Sequence, residues 1–194
     1  MAGRLNKKTI IVTGAGSGLG RASAVKLAEE DAQVFCVDVN PETVKETSDI
    51  ITSRGGTASH YQADMCSETE IIAMVTEAEK TYNGIDGLLA NAGIAGTGAA
   101  HETSLEDWDR LIKVSLTGKW LCAKHVIPHF IAKKSGNIVF QSSICALNGF
   151  PKLVAYTAAK GAIAAITRQM ASDYGEYNIR INAIAPGTIE TELV

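Results

Sequence analysis

Short runs rich in β-branched residues alternate with segments of helical periodicity along the whole sequence. The alternation predicts six strands, at Thr9–Thr13, Gln33–Asp38, Thr57–Gln62, Gly87–Ala90, Asn137–Ser142 and Asn178–Ile184. Helices are predicted over Gly18–Glu30, Pro41–Ser53, a stretch capped by Ser67 and ending near Tyr82, one or two helices in Ser104–Lys134, and Val154–Tyr177. Strands joined through helices pair in parallel by right-handed crossovers. We therefore predict an α/β fold with a doubly wound parallel sheet, in one domain over residues 1–194.

Composition excludes several classes of protein. The net charge of -3 argues against a nucleic-acid partner, because such proteins usually carry a basic excess. No apolar stretch approaches the roughly 18–20 residues that span a bilayer, so we expect no membrane partner. The four cysteines are far apart and form no CxxC pair, which indicates reduced thiols and a cytoplasmic location.

A glycine-rich loop lies between the first strand and the first helix. Its sequence, TGAGSGLG from Thr13 to Gly20, fits neither the Walker loop nor GxGxxG, but fits TGxxxGxG. Glycines let the backbone approach a pyrophosphate, and the helix N-terminus offers free N–H groups and a positive dipole end. A ligand-free glycine turn is the alternative, but the position of the loop favours a nucleotide. The predicted contacts are Gly14, Ser17, Gly18, Leu19 and Gly20.

Asp38 ends the second strand, twenty residues after Gly18. A carboxylate there accepts hydrogen bonds from an adenosine ribose hydroxyl and repels a 2′-phosphate. Arg21 is the counter-argument, because its positive charge could bind such a phosphate. Asp38 could also serve only as a strand-end cap. We favour NAD over NADP.

Tyr156 and Lys160 are four residues apart on a predicted helix, so their side chains share a face. We expect the ammonium to lower the pKa of Tyr156, making it a general acid/base near neutral pH. The YxxxK pattern is common by chance and also fits a solvated helix face. Ser143, at a strand end thirteen residues upstream, could hold a substrate carbonyl oxygen.

These motifs, with Asn91-Ala92-Gly93 and Pro186-Gly187, occur in the order typical of the short-chain dehydrogenase/reductase family, which the chain resembles from Lys8 to Thr191. The resemblance implies a Rossmann-type sheet and hydride transfer between a nicotinamide cofactor and a secondary alcohol or ketone. Tyr156 would be the acid/base, Lys160 would bind the nicotinamide ribose and tune the tyrosine, and Ser143 would orient the substrate oxygen. The remaining residues that the resemblance assigns to the cofactor are Asp64, Met65, Asn91, Ala92, Gly93, Pro186, Gly187, Thr188, Ile189 and Thr191.

The sequence departs from the family pattern at two points. Ser115 stands where the family has an asparagine that helps hold a water linking the lysine to solvent. A serine would hold a shifted water or weaken the relay, so we expect reduced but not abolished proton transfer. The chain is also shorter than family members, so the substrate lid, a further helix and the last strand are expected to be absent.

His125 and His129 have zinc-ligand spacing, but no glutamate follows His125 and Pro128 should interrupt the helix, so we predict no metal. The long helices around Leu105–Lys133 and Val154–Tyr177 match those that family members use to form dimers and tetramers, which implies a homodimer or homotetramer. Two alternatives stay open: an NADPH-dependent 3-oxoacyl reductase, and an inactive nucleotide-binding sensor or scaffold.

Overall fold

A parallel six-stranded sheet forms the centre of the computed structural model, which describes residues 3–190. Its strands are β1 (Thr9–Thr13), β2 (Gln33–Asp38), β3 (Thr57–Gln62), β4 (Gly87–Ala90), β5 (Gly136–Gln141) and β6 (Ile179–Ile184). Their order is β3-β2-β1-β4-β5-β6, and every neighbouring pair is parallel. The predicted α/β fold with a doubly wound parallel sheet is confirmed.

Six α-helices join the strands. They are α1 (Gly18–Glu29), α2 (Pro41–Ser53), α3 (Glu68–Tyr82), α4 (Leu105–Ile112), α5 (Gly118–Lys133) and α6 (Val154–Tyr174). Local capping explains several starts: the side chains of Asn40, Ser67 and Ser104 accept N–H bonds from the first turns of α2, α3 and α4. The predicted bounds of β1 to β4 and of α2 coincide with these, and the other predicted boundaries differ by at most three residues. The largest difference is at the end of α6, where Gly175–Tyr177 forms a tighter 3₁₀ turn.

The segment from Leu105 to Lys133 is one continuous helical run. Between α4 and α5 it widens into a π-helical stretch, Lys113–Thr117, which inserts extra backbone into the turn. The expectation that Pro128 interrupts the helix is wrong, because α5 continues through it. Proline leaves the carbonyl of Lys124, one turn earlier, without its helical donor, and Lys124 is an exposed residue of this helix.

Two apolar layers enclose the sheet. One packs α1 and α2 against β1 and β2, around residues such as Val12 and Val34. The other packs α3, α5 and α6 against the opposite face, around residues such as Phe35 and Phe140. Connections leave β1 and β4 toward opposite faces, so a crevice opens at their carboxyl ends, where doubly wound sheets bind ligands. Within residues 3–190, no helix is both long and apolar enough to cross a membrane.

Candidate active site

The glycine-rich loop after β1 is shaped by contacts that leave no room for side chains. Gly14 and Gly18 adopt φ values of 66° and 50°, in the left-handed region that favours glycine. A Cβ on Gly20 would lie 1.8 Å from the carbonyl oxygen of Gly14. Gly16, which the predicted motif treats as a variable position, is equally restricted, because a Cβ there would lie 2.9 Å from the carboxylate of Asp38.

The first turn of α1 carries no side-chain cap within the described part of the chain. Ser17 stands at the N-cap position in extended conformation without such a bond. Helix N-termini of this kind present backbone N–H groups to an anion. The loop and the helix start therefore form a cradle that suits a pyrophosphate.

Asp38 closes β2 beside the loop and lines the same groove. Its carboxylate accepts the N–H of Gly16 at 2.9 Å and the N–H of Asn40 at 3.1 Å. Arg21 is turned toward α2, where its guanidinium donates to Glu46 at 2.7 Å and to the Thr47 hydroxyl at 3.0 Å. The groove thus presents a carboxylate at this end, while the nearby arginine is engaged by α2 and by the Gly16 carbonyl.

Asn91 follows β4 directly across from the glycine loop. Its side-chain amide donates to the carbonyl oxygens of Thr13 at 3.1 Å and Gly14 at 3.2 Å. The Thr13 hydroxyl in turn accepts the N–H groups of Asn91 and Ala92, each at 3.1 Å. Asn91 therefore braces the glycine loop as well as lining the groove.

Ser143, Tyr156 and Lys160 come together at the other end of the groove. Ser143 follows β5, and its hydroxyl accepts the N–H of Cys145 at 3.2 Å. The Lys160 amine lies 5.2 Å from the centre of the Tyr156 ring and donates to the Gln141 carbonyl at 3.1 Å. The Ser142 hydroxyl donates to the Lys160 carbonyl at 2.9 Å, which fixes α6 against the end of β5.

Burial shifts both ionisable groups of this cluster. It lowers the pKa of Lys160 to about 8, because the charged amine loses water. It also raises the pKa of Tyr156 from 10.0, and the Ser143 hydroxyl opposes this only in part. The pKa of Tyr156 is therefore raised and not lowered as expected, because desolvation is the largest cause and Lys160 is not among the groups that shift it.

The segment after β6 closes the groove beside Ser143. The N–H of Ser142 donates to the Ile184 carbonyl at 2.8 Å, and the N–H of Ile144 donates to the Pro186 carbonyl at 3.0 Å. These bonds place Pro186, Gly187 and Ile189 in the groove wall. Thr191 lies outside the described residues.

One groove of about 280 Å³ unites most of the predicted positions. Its wall contains Gly14, Ser17, Gly18, Leu19, Gly20, Asp38, Asn91, Ala92, Gly93, Ser143, Tyr156, Lys160, Pro186, Gly187 and Ile189. Within residues 3–190 it does not include Asp64, Met65, Ser115 or Thr188, so their roles remain predictions. Gln141 and Ser142 also line it and were not predicted. Their place at the carboxyl end of a predicted strand was the signal that could have found them.

The predicted positions outside the wall have other surroundings. Met65 is 6% exposed, and its sulfur lies 3.4 Å from that of Cys122, inside the core. The Asp64 carboxylate accepts the N–H of Cys66 at 2.8 Å. His125 Nε2 lies 2.9 Å from Glu68 and His129 Nδ1 lies 3.4 Å from Glu79, so each histidine faces a carboxylate.

A dinucleotide fits the residues that the groove presents. The glycine cradle would be filled by any Cβ at Gly20, and the uncapped start of α1 points at the same space. Asp38 at one end suits a ribose hydroxyl, while Ser143, Tyr156 and Lys160 form the chemically active end. The arrangement can therefore hold a cofactor along its length and handle a proton at the far end.

Comparisons with known proteins agree with this geometry. The sequence model of the family described as short chain dehydrogenase matches residues 8–194. The chain is 38% identical to 2-(S)-hydroxypropyl-CoM dehydrogenase 3 of Xanthobacter autotrophicus, across 97% of this chain and 74% of that protein. It is 39% identical to cis-4-hydroxycyclohexanecarboxylate dehydrogenase of Sinomonas cyclohexanicum, across 97% of this chain and 76% of that protein.

Solved structures give the same result. Levodione reductase matches with a TM-score of 0.96 and 34% identity, over 98% of this chain and 75% of that one. NAD⁺-bound xylitol dehydrogenase matches with a TM-score of 0.93 and 34% identity, over 95% and 71%. The chain therefore belongs to the short-chain dehydrogenase/reductase family, as an NAD(P)-dependent alcohol dehydrogenase or ketone reductase.

Proposed function

We propose that the protein interconverts a secondary alcohol and its ketone with NAD(H) as the cofactor, through Ser143, Tyr156 and Lys160. The observation that carries this proposal is the meeting of these three side chains at one end of the glycine-rich groove. They come from the end of β5 and from α6, which the Ser142–Lys160 hydrogen bond holds together. A proton-handling group thus lies where a nicotinamide would end.

The residues divide the chemistry in a simple way. A bound nicotinamide supplies the hydride acceptor or donor. Tyr156 accepts the proton of the substrate hydroxyl during oxidation and returns a proton to the carbonyl oxygen during reduction. Ser143 donates a hydrogen bond to the same oxygen. Lys160 binds the nicotinamide ribose and, when protonated, acts against the desolvation that raises the Tyr156 pKa.

The choice of NAD over NADP rests on Asp38 and Arg21. Asp38 places a negative charge in the groove, where it would repel a 2′-phosphate and accept bonds from a ribose hydroxyl. Arg21 is held by Glu46, Thr47 and the Gly16 carbonyl and does not line the groove within the described residues. One of the similar solved structures is that of NAD⁺-bound xylitol dehydrogenase.

The names of similar proteins support a secondary alcohol as substrate. They include cis-4-hydroxycyclohexanecarboxylate dehydrogenase and cyclohexanol dehydrogenase, both of which act on ring alcohols by name. Ile94 gives the groove an apolar surface near Ser143 and Tyr156. An apolar ring bearing a secondary hydroxyl is therefore the first substrate class to test.

The deciding experiment has two arms. Fluorescence titration compares the binding of NADH and NADPH, and we expect NADH to bind more tightly. A panel of cyclic and open-chain secondary alcohols with NAD is then followed by nicotinamide absorbance, and at least one should be oxidised. Tighter NADPH binding with turnover of a 3-oxoacyl thioester would favour a 3-oxoacyl reductase. Binding of NADH without turnover of any alcohol or ketone would favour a sensor or scaffold.

We also propose that the chain forms a homodimer or homotetramer and is cytoplasmic. Two large apolar residues of α4 and α5 are exposed to solvent: Leu105 is 75% exposed and Trp120 is 44% exposed. Their exposure supports association through these helices. The four cysteines are free thiols, which supports a reducing compartment. Sedimentation velocity would test the assembly, since a monomer at micromolar concentration would contradict it.

A further inference from the structure

Lys119 is an unusual residue for the interior of this fold. It belongs to the first turn of α5, and its side chain is 2% exposed. Its amine donates to the carbonyl oxygens of Ala90 at 2.8 Å and Asn91 at 2.9 Å. No carboxylate within residues 3–190 lies within 4.0 Å of it. Burying an amine without a counter-charge is costly, so a plain packing role would be served better by an apolar side chain.

The two carbonyls that Lys119 binds stand where β4 becomes the groove wall. Ala90 is the last residue of β4, and Asn91 begins the segment that lines the groove. Asn91 is also the residue whose amide braces the carbonyls of Thr13 and Gly14. Lys119 is therefore one hydrogen bond removed from the glycine loop, although it does not itself line the groove in the described structure.

The other end of the same segment is held by Ser115. This side chain is fully buried, and its hydroxyl accepts the N–H of Ile94 at 3.1 Å and donates to the Ile94 carbonyl at 3.4 Å. Ser115 lies in the π-helical stretch that leads into α5. One continuous helical run therefore holds residues 90–94 at both ends. Ala92 and Gly93 lie between the two points of attachment and form part of the groove wall.

We propose that Ser115 and Lys119 are positioning residues that act as a two-point clamp on residues 90–94 and thereby set the groove for dinucleotide binding. The inference rests on the proposed function, because its consequence is read through NADH. In this account the buried amine is retained for its two donors, which an apolar residue lacks. Ser115, at the family's asparagine position, holds backbone directly.

The experiment compares Lys119→Met with Lys124→Met. Methionine at 119 keeps the length and apolar stem of lysine while removing the donors. Lys124 lies in the same helix, but its side chain is 46% exposed and pairs with Glu68, so its substitution is a matched control. Hydrogen exchange is measured by mass spectrometry on each ligand-free protein, and NADH is then titrated by fluorescence.

For Lys119→Met we expect faster exchange in residues 90–94 and in the glycine loop, with β3 unchanged. The NADH Kd should rise about five- to tenfold, the effect of losing roughly one hydrogen bond. Lys124→Met should match the wild type in both measurements. Ser115→Ala tests the other end independently. In the double variant, the increase in the NADH Kd should be smaller than the product of the two single increases, because either substitution alone already releases the segment.

Three results would overturn the clamp. If hydrogen exchange in residues 90–94 is unchanged in Lys119→Met, the clamp has no structural basis, whatever the NADH titration gives. Faster exchange throughout the protein, including β3, assigns Lys119 to general stability instead. Local loosening with an unchanged NADH Kd removes its link to binding. A wild-type protein that does not bind NADH refutes the proposed function and the clamp's role in binding together, while the exchange data alone still decide whether the clamp exists.

Discussion

The amine of Lys160 lies over the ring of Tyr156, 5.2 Å from its centre, and donates to the carbonyl of Gln141 at 3.1 Å. Both side chains lose water at the junction of α6 and β5, so each is pushed toward its neutral form. The protein therefore holds a protonated tyrosine beside a lysine that loses its proton easily. Accepting a proton from a substrate hydroxyl thus requires a lower Tyr156 pKa than this site gives by itself.

The first prediction concerns the Tyr156 hydroxyl. Tyr156→Phe keeps the ring that packs near Leu111 and Ala155 but removes the acid/base group. NADH binding should be retained, while kcat should fall by about 100- to 10,000-fold, the usual contribution of a positioned acid/base. Tyr174→Phe is the matched control, because Tyr174 ends the same helix and packs against the core outside the groove. Steady-state turnover measures both, and near-normal turnover of Tyr156→Phe would reject the assignment.

The second prediction links Lys160 to the pH dependence of stability. Its pKa is about 8 in the folded protein and 10.5 as the reference, so between these values the unfolded chain binds more protons. Stability from this group therefore rises as pH increases through the window. The gain should be about 3 kcal/mol, at about 1.4 kcal/mol for each pKa unit. It should be absent in Lys160→Met, which has no amine to titrate.

Urea unfolding of the wild type and Lys160→Met across this pH range gives the measurement. Titration of other groups affects both proteins alike and cancels in the difference. Lys45→Met, on the exposed face of α2, is the control and should follow the wild type in parallel. Parallel curves for the wild type and Lys160→Met would mean that Lys160 is not desolvated in solution.

Much of the fold could be predicted because local signals agree with one another. Asn40 before Pro41, Ser67 before α3 and the glycines after α2 mark helix boundaries in the sequence itself. Even there, one detail differs: in a capping box the Glu70 carboxylate would accept the N–H of Ser67, but it accepts the N–H of Asp64 at 2.8 Å, so only the bond from the Glu70 N–H to the Ser67 hydroxyl forms. The N–H of Ser67 donates instead to the carbonyl of Asp64 at 3.0 Å, so a local turn takes the donor that the glutamate would have accepted.

The rest of the site depends on contacts between distant parts of the chain. The spacing of Tyr156 and Lys160 predicted that they meet, but the direction of their pKa shifts depends on burial under β5, which no spacing reveals. From the sequence alone, Lys119 would be expected on the surface. It is buried because the topology packs α5 against the end of β4, where its amine binds two carbonyls. The side chain of Met65, assigned to the cofactor by resemblance, packs in the core beside Gly118, and its contact with the cofactor stays a prediction. Each outcome was set by packing between separate elements.

The third prediction concerns cofactor choice at Asp38. Asp38→Asn removes the charge while keeping one oxygen for the N–H bonds from Gly16 or Asn40. NADPH binding should improve relative to NADH by about tenfold, equal to about 1.4 kcal/mol, because the repulsion of the 2′-phosphate is relieved. Asp49→Asn, a carboxylate on α2 paired with Lys45, should leave the ratio of the two Kd values unchanged. A ratio that does not move in Asp38→Asn would place the selectivity elsewhere.

The fourth prediction separates steric fit from helix propensity at Gly20. Gly20 and Gly161 both lie inside helices, so replacing either with alanine gains the same intrinsic propensity of about 1 kcal/mol. A Cβ at Gly20 meets the Gly14 carbonyl at 1.8 Å, whereas one at Gly161 meets no described atom within 4 Å apart from its chain neighbours and the backbone of its own helix. Gly161→Ala should therefore raise the free energy of unfolding by about that amount. Gly20→Ala should lower it by about 1–3 kcal/mol, the usual cost of overpacking.

Urea unfolding measures both variants, and NADH titration shows the consequence for the site. Gly20→Ala should also weaken NADH binding, because relief of the clash must move the loop that ends at α1. Unchanged stability and binding in Gly20→Ala would mean that the loop has more room than its close approach implies. A loss of stability in Gly161→Ala would instead mean that the added methyl group meets an obstacle that the described residues do not show.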